Sequence, residues 1–216
     1  LMTQDLQLTT EILLHAYASG VFPMSESRDD PEIFWVEPQM RGILPLDRLR
    51  ISRSLARTLR RWHFKVTFNK AFADVVRACA DREETWINDT IFALYCELHA
   101  EGHAQSVEVW HNDVLVGGAY GVTLGGAFFG ESMFSTMTDA SKVALAFLVD
   151  HLNRTGYVLL DTQFITDHLA SLGAIEIPRE TYQQQLAKAL KVSANFREKY
   201  AIPTPYDVIQ RNAQTS

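Results

Sequence analysis

The chain has 216 residues, of which 47% are hydrophobic and 21% charged, and this composition is typical of a globular protein with a sizeable core. Its net charge of −6 argues against indiscriminate binding to nucleic acid, and the longest apolar run, residues 143–149, is far too short to span a bilayer. Two cysteines, Cys79 and Cys96, favour a reducing compartment over a disulfide framework, and the N-terminus lacks the basic-then-apolar pattern of a signal peptide.

The first 62 residues are predicted to form a small N-terminal subdomain. Residues 9–19 have a helical pattern, which Gly20 and Pro23 end. A segment containing prolines and acidic residues follows from Phe22 to Pro45, and its apolar centre is Phe34-Trp35-Val36.

A basic helix is predicted at the end of this subdomain. From Arg48 to Lys65 there are seven basic residues and no acidic one, so this segment carries +7 while the rest of the chain carries −13. The pattern from Ser52 to Trp62 predicts a helix capped by Ser52. One of its faces carries four arginines: Arg53, Arg57, Arg60 and Arg61. This face could contact a phosphate backbone, or it could be a solvated face paired with acidic residues elsewhere, and the sequence leaves both readings open.

Residues 63–216 predict one α+β domain with a mixed sheet. The predicted elements are a strand at 64–68, helices at 71–80 and 88–100, a three-stranded meander at 106–110, 114–123 and 127–131, a helix at 139–155 capped by Asp139, a strand at 157–163, a short helix near 167–172 and a helix at 181–190. The tail from Ala201 is expected to be loose.

Polar side chains end two apolar strands of this domain. Asp161 and Gln163 are two positions apart on the strand at 157–163, so both should point to the same side. Glu131 ends a glycine-rich strand of the meander. Burying these groups is costly unless they bind something, so we interpret them as holding a polar ligand at the mouth of the sheet.

The motifs of the chain resemble those of bacterial leucyl/phenylalanyl-tRNA–protein transferases, from about residue 9 to residue 196. The matching stretches include Gly20-Val21-Phe22-Pro23, Ile51-Ser52-Arg53-Ser54, Thr85-Trp86-Ile87, Val107-Glu108-Val109-Trp110, residues 130–135, Asp139-Ala140-Ser141-Lys142, Asp161 with Gln163, and residues 170–174. The order of elements is similar to the acetyltransferase-like (GNAT-like) fold, in which two central strands splay apart to admit a substrate.

The resemblance implies transfer of leucine, phenylalanine or methionine from aminoacyl-tRNA to a protein with N-terminal Arg or Lys, which creates a degradation signal. It implies a cytoplasmic enzyme that uses no metal or organic cofactor, and it ties Asp161 and Gln163 to catalysis. The sequence does not fix the oligomeric state, and a monomer is the simpler expectation. We hypothesise that Gln163 holds the attacking amine, that Asp161 orients its amide, and that Glu131 binds an ammonium group. An alternative role for Gln163 is relay of a proton.

The aminoacyl side chain should lie in an apolar pocket beside these residues. The candidates for its wall are Phe128, Met133, Phe134 and Trp86. For Phe128 and Phe134, plain core packing is an equally good reading. Two positions depart from the family pattern: Val36 stands where many members have a tryptophan implicated in holding the terminal adenosine, and Thr166 stands where relatives often have asparagine.

Two other functions fit parts of the sequence. An N-acetyltransferase would need a glycine-containing turn to hold the pyrophosphate of acetyl-CoA, whereas residues 132–139 contain no glycine and end in Asp139. A non-catalytic tRNA-binding module would leave Asp161 and Gln163 without a role. His99 and His103 have the spacing of a metal pair, but no third ligand is evident.

Overall fold

The computed structural model describes residues 7–30, 32–81, 85 and 87–215. The helices are α1 (Thr10–Ala18), α2 (Arg53–Arg61), α3 (Phe72–Ala80), α4 (Asp89–Ala100), α5 (Ala140–Thr155), α6 (Asp167–Ser171), α7 (Arg179–Ala189) and α8 (Pro205–Thr215). The strands are β1 (Phe22–Met24), β2 (Phe34–Val36), β3 (Met40–Ile43), β4 (Lys65–Phe68), β5 (Ala104–His111), β6 (Val114–Leu124), β7 (Ala127–Ser135), β8 (Leu159–Gln163) and β9 (Ile175–Pro178).

Seven strands in the described part of the chain form one sheet in the order β4-β5-β6-β7-β8-β3-β9, while β1 and β2 form a separate hairpin. The pairing of β7 with β8 is parallel and the other pairings in the sheet are antiparallel. The predicted α+β class with a mixed sheet is therefore confirmed. Helix α5 forms the crossover between β7 and β8, as a parallel pair requires.

Each face of the sheet is covered by helices, so the protein has two apolar cores. On one face α5 packs against β5, β6 and β7, and α2 and α8 pack on α5. On the opposite face lie α3, α4, α1 and α7. We call these the α5 face and the α3 face.

Strand β3 lies inside the larger sheet although it comes from the predicted N-terminal subdomain. It pairs with β8 on one side and with β9 on the other. At Gly42 a Cβ atom would lie 2.4 Å from the Phe164 carbonyl oxygen, so only glycine allows the chain after β8 to pass this close. A domain boundary near residue 62 remains a prediction, and residues 40–43 belong to the sheet of the second predicted domain.

The expectation of a loose C-terminal tail is wrong, because α8 is anchored to the α5 face. Val208 is buried in the core, and Arg211 forms a two-pronged ion pair with Asp150 of α5 at 2.7 and 2.9 Å. The start of α8 carries a recognisable capping pattern: the Asp207 backbone N donates to Thr204 Oγ1, and the Thr204 backbone N donates to the Asp207 carboxylate.

Candidate active site

The three predicted site residues lie together where β7 and β8 separate. The last paired residues of these strands are Phe129 and Asp161. Beyond this point Gln163 Nε2 donates a hydrogen bond to Glu131 Oε1 at 3.1 Å, so the two side chains bridge the widening gap. Both are almost buried, with exposed fractions of 8% for Glu131 and 6% for Gln163.

Gln163 ends β8 in an unusual backbone conformation. Its φ is +64°, in the left-handed region that non-glycine residues seldom occupy and that costs about 1–3 kcal/mol. The Gln163 backbone N donates to Asp161 Oδ1 at 2.7 Å, and this contact stabilises the turn. Asp161 therefore holds the backbone of Gln163, whereas the amide group is contacted by Glu131. This arrangement replaces the direct Asp161–amide contact of our sequence hypothesis.

The Asp161 carboxylate is fully buried and fully occupied. Arg41 of β3 donates to it from Nε at 3.0 Å and from Nη2 at 2.5 Å, and Tyr182 Oη donates at 3.0 Å. Arg41 is itself 1% exposed, and its guanidinium lies against the rings of Phe22 and Tyr182, at 4.7 and 4.3 Å from their centroids. Sequence reasoning missed Arg41, because nothing in its local pattern places a buried cation in β3.

The Glu131 carboxylate is held from behind by two tyrosines. Tyr17 Oη donates to Glu131 Oε1, and Tyr95 Oη lies 2.7 Å from Tyr17 Oη. Burial raises the pKa of Glu131 to about 7, although hydrogen bonds from Tyr17 and Gln163 oppose this by stabilising the ionised form. The second oxygen, Oε2, is buried without a hydrogen-bond partner among the described residues, so it is the atom available to a ligand.

An apolar pocket of about 340 Å³ adjoins this cluster on the α5 face. Two predicted wall residues, Phe128 and Met133, line it, together with Ala119, Leu145, Leu148, Leu160 and Leu169. Phe134 does not line this pocket: neighbouring residues of a strand point to opposite faces, and Phe134 lies in the core of the α3 face, as its core-packing reading expects. Trp86 lies outside the described residues.

The four arginines of α2 form an exposed surface on the same face. Arg53, Arg57, Arg60 and Arg61 line a concavity of about 900 Å³ whose other wall is Ile209, Asn212 and Ala213 of α8. None of the ion pairs found among the described residues includes any of these arginines, so pairing with acidic neighbours does not account for them. The chain leading into α2 borders α6, since the Arg50 backbone N donates to the Leu172 carbonyl at 2.9 Å, and Leu169 of α6 lines the apolar pocket.

The remaining sequence signals have structural explanations. The His99 ring stacks on Phe72 at 4.3 Å between centroids, and its Nδ1 lies 2.8 Å from the Ala104 carbonyl oxygen. Thr166 caps α6 by accepting from the Leu169 backbone N, and it also lines the pocket. Within the described ranges no group of three or more His, Cys, Asp or Glu residues could hold a metal ion.

Comparison with known proteins matches almost the whole chain to one family. The model of the leucyl/phenylalanyl-tRNA protein transferase family matches residues 43–187, and that of its N-terminal domain matches residues 7–39. A leucyl/phenylalanyl-tRNA–protein transferase from Ruegeria sp. (strain TM1040) is 63% identical over 97% of this chain and 99% of its own length. One from Cereibacter sphaeroides (strain ATCC 17025 / ATH 2.4.3) is 64% identical over 97% of this chain and 98% of its own length.

Solved structures give a more distant similarity. The crystal structure of FemX aligns with 83% of this chain and 71% of its own, with a TM-score of 0.48 and 13% sequence identity. The family models and the close relatives together show that this chain belongs to the leucyl/phenylalanyl-tRNA–protein transferase family and is an aminoacyltransferase.

Proposed function

We propose that this chain transfers leucine, phenylalanine or methionine from aminoacyl-tRNA to the α-amine of a protein that begins with Arg or Lys. The observation that carries this proposal is the gap between β7 and β8, where the Glu131–Gln163 pair lies beside an apolar pocket. We further propose a GNAT-like fold, because the end of the pairing between β7 and β8 at Phe129 and Asp161 is consistent with the splayed strands of that fold. A monomeric cytoplasmic enzyme is part of the same proposal. No helix in the described part of the chain is long and apolar enough to cross a membrane.

The reaction is aminolysis of an ester. The acceptor nitrogen attacks the ester carbonyl carbon and forms a C–N bond. The C–O bond to the tRNA ribose then breaks. The proton that the amine loses is taken up by the ribose oxygen, which becomes a hydroxyl group again. A free α-amine has a pKa of about 7.7–8.0, so a useful fraction is neutral near pH 7 and no strong base is required. Orientation by itself can contribute about 7 kcal/mol. The proposed role of Gln163 is therefore to hold the amine through its amide oxygen, with Glu131 Oε2 available to an ammonium group.

The pocket on the α5 face fits an apolar side chain that is not branched at Cβ, such as that of leucine, methionine or phenylalanine. Its walls are aliphatic and aromatic, so a charged side chain would lose its hydration without gaining a partner. Glu131 and Asp161 are among the residues that line this cavity, so the aminoacyl ester would lie close to the site residues.

Ala119→Val tests this pocket. Ala119 lies on β6 and lines the cavity, and valine is well tolerated in strands, so the change narrows the pocket with little effect on the fold. We expect kcat/KM for phenylalanine to fall about 10-fold relative to leucine, the usual effect of a small shape change in an apolar pocket. Competition between phenylalanyl- and leucyl-tRNA measures this ratio. An equal fall for both donors, with an unchanged melting temperature, would contradict the assignment.

The arginines of α2 are proposed to contact the tRNA phosphate backbone. Arg50 lines the concavity and its backbone contacts Leu172 at the end of α6, while Leu169 of α6 lines the pocket, so one RNA can reach both surfaces. The acidic remainder of the protein would disfavour binding elsewhere.

The double variant Arg57→Gln/Arg60→Gln tests this surface. We expect KM for aminoacyl-tRNA to rise, kcat to stay unchanged, and the slope of log affinity against log salt to become shallower by about one unit for each arginine that no longer neutralises a phosphate. Filter binding over a range of salt concentrations provides the measurement. Lys188→Gln is the matched control, since Lys188 is an exposed cation on α7, on the α3 face. The same slope in all three proteins would refute the RNA-binding role.

Acetyl transfer from acetyl-CoA is not favoured. The turn before α5 lacks glycine, and the side chain of Asp139, at the N-cap of α5, does not cap the helix: its Oδ2 accepts from Thr58 Oγ1 of α2 at 2.9 Å. A carboxylate at this position would repel a pyrophosphate.

The proposed function is tested by incubating the protein with tRNA charged with labelled leucine, phenylalanine or methionine and a peptide beginning with Arg or Lys. We expect labelled peptide with these donors, and none when the peptide's α-amine is acetylated. Transfer from acetyl-CoA in place of aminoacyl-tRNA would support the alternative.

A further inference from the structure

Two tyrosines that the proposed reaction does not use lie directly behind Glu131. Tyr17 comes from α1 and Tyr95 from α4, and the side chains of both are completely buried. Their hydroxyl oxygens are 2.7 Å apart, and Tyr17 reaches Glu131 Oε1. Buried hydroxyl groups in series with a buried carboxylate form a network in which each proton has a definite direction.

When Glu131 is ionised, the direction of each hydrogen bond in this network is fixed. A carboxylate accepts only, so the Tyr17 proton points to Glu131 Oε1. The Tyr17 oxygen must then accept in its contact with Tyr95, and the Tyr95 proton points to Tyr17. Gln163 likewise turns its NH₂ group to Glu131, which leaves its amide oxygen facing away from the carboxylate.

Protonation of Glu131 would remove these fixed hydrogen-bond directions. A neutral carboxyl group can donate its O–H to an amide oxygen, and the two ends of an amide have nearly the same shape. The Gln163 amide could then rotate by half a turn and present NH₂ to the incoming amine. The amide NH₂ would then donate to the nitrogen lone pair that must attack the ester, so the amine would be held in an unproductive orientation. The charge on Glu131 therefore decides which end of the amide meets the acceptor.

We propose that Tyr17 and Tyr95 are positioning residues for the transfer reaction, which stabilise ionised Glu131 in series and so fix Gln163 with its amide oxygen towards the attacking amine. This inference rests on the proposed function and extends it from the residues beside the substrate to α1 and α4.

The surroundings of Glu131 set the expected pH dependence. The groups that act on it are the hydroxyls of Tyr17 and Tyr95, the Gln163 amide, and Asp161 with its partners Arg41 and Tyr182. Burial raises the Glu131 pKa to about 7, the hydrogen bonds from Tyr17 and Gln163 lower it, and Asp161 raises it. Loss of a tyrosine hydroxyl should raise this pKa further, so a larger fraction of Glu131 would be protonated at neutral pH.

The experiment compares Tyr17→Phe and Tyr95→Phe with the wild-type protein in single-turnover transfer at several pH values. For Tyr17→Phe we expect the rate at neutral pH to fall about 10-fold or more, the usual effect of losing a hydrogen bond to a charged group. The pH at half-maximal rate should move upwards, so that activity recovers in alkaline buffer, while KM for tRNA stays unchanged. Tyr95→Phe should show a smaller shift in the same direction. Tyr157→Phe is the matched control, because Tyr157 is a buried tyrosine in the core of the α5 face.

A double-variant cycle tests whether the tyrosines act through Glu131. In the Glu131→Gln background, Tyr17→Phe should cause little further loss of rate, because the carboxylate whose charge it stabilises is absent. Additive losses in the double variant, or an unchanged pH profile in Tyr17→Phe, would overturn the proposal.

The pH dependence of the free energy of unfolding tests the hydrogen bond between Tyr17 and Glu131 without any transfer assay. A carboxyl group with a raised folded-state pKa contributes stability at low pH that is lost as the pH rises through that pKa. In Tyr17→Phe this loss should extend to higher pH than in the wild type. Glu108, whose pKa burial also raises to about 7, contributes equally to both proteins. Identical curves would overturn the inference even if transfer is observed, and a shifted curve without transfer in the wild type would refute only the proposed function.

Discussion

Replacing Gln163 with alanine is expected to lower the single-turnover rate of aminoacyl transfer by about 100-fold or more. The proposed site offers one neutral hydrogen-bond acceptor to the attacking amine, and loss of one such preorganised group typically lowers a rate by this amount. Affinity for tRNA should be unchanged, since the arginines of α2 lie on a different surface. Rapid-quench measurement with enzyme in excess over phenylalanyl-tRNA separates the chemical step from binding and product release.

Two further variants sharpen this test. Gln183→Ala makes the same deletion at a partly exposed glutamine on α7, and we expect wild-type rates. Gln163→Glu keeps the shape of the side chain but replaces the amide, which lies 3.1 Å from Glu131, with a second carboxyl group. The two carboxyl groups should share a proton, so activity should be low. Full activity of Gln163→Glu would show that the amide group is unnecessary, and it would refute the positioning role.

Breaking the buried pair of Arg41 and Asp161 should have the largest effect on stability. Asp161→Leu leaves the Arg41 guanidinium buried with its remaining bond to the Gly20 carbonyl oxygen at 2.6 Å and without a counter-charge. Removing one partner of a buried pair typically lowers the free energy of unfolding by about 3–5 kcal/mol. Urea denaturation followed by circular dichroism gives this value. Transfer should also fall, because the left-handed turn at Gln163 loses its acceptor.

A double variant and an exposed pair provide the controls. Arg41→Met/Asp161→Leu removes both charges, and a large part of the lost stability should return, as found when buried ion pairs are replaced by apolar residues. The exposed pair of Arg77 and Asp74, at 3.2 Å, should contribute at most about 1 kcal/mol, so Asp74→Asn should leave unfolding nearly unchanged. If Asp161→Leu were as mild as Asp74→Asn, the pair would not organise the site.

The proximity of Glu131, Asp161 and Gln163 could be predicted because each follows an apolar run, although Glu131 lies within β7 and only Gln163 ends its strand. Their partners could not be predicted in this way. Arg41, Tyr17 and Tyr182 come from β3, α1 and α7, which are separate elements from β8, and their local patterns are those of ordinary strand or helix residues. A contact between separate segments leaves no local periodic signal.

The sequence by itself determined the class of the fold, most of the helices and strands, the basic surface of α2, and the family, because these depend on local periodicity, charge and motif spacing. Only the tertiary structure decided that β3 enters the sheet beside β8, that Phe134 faces away from the pocket, and that Glu131 rather than Asp161 holds the Gln163 amide. These features depend on which strands become neighbours and on which side chains meet in the core, and both follow from packing of the whole chain.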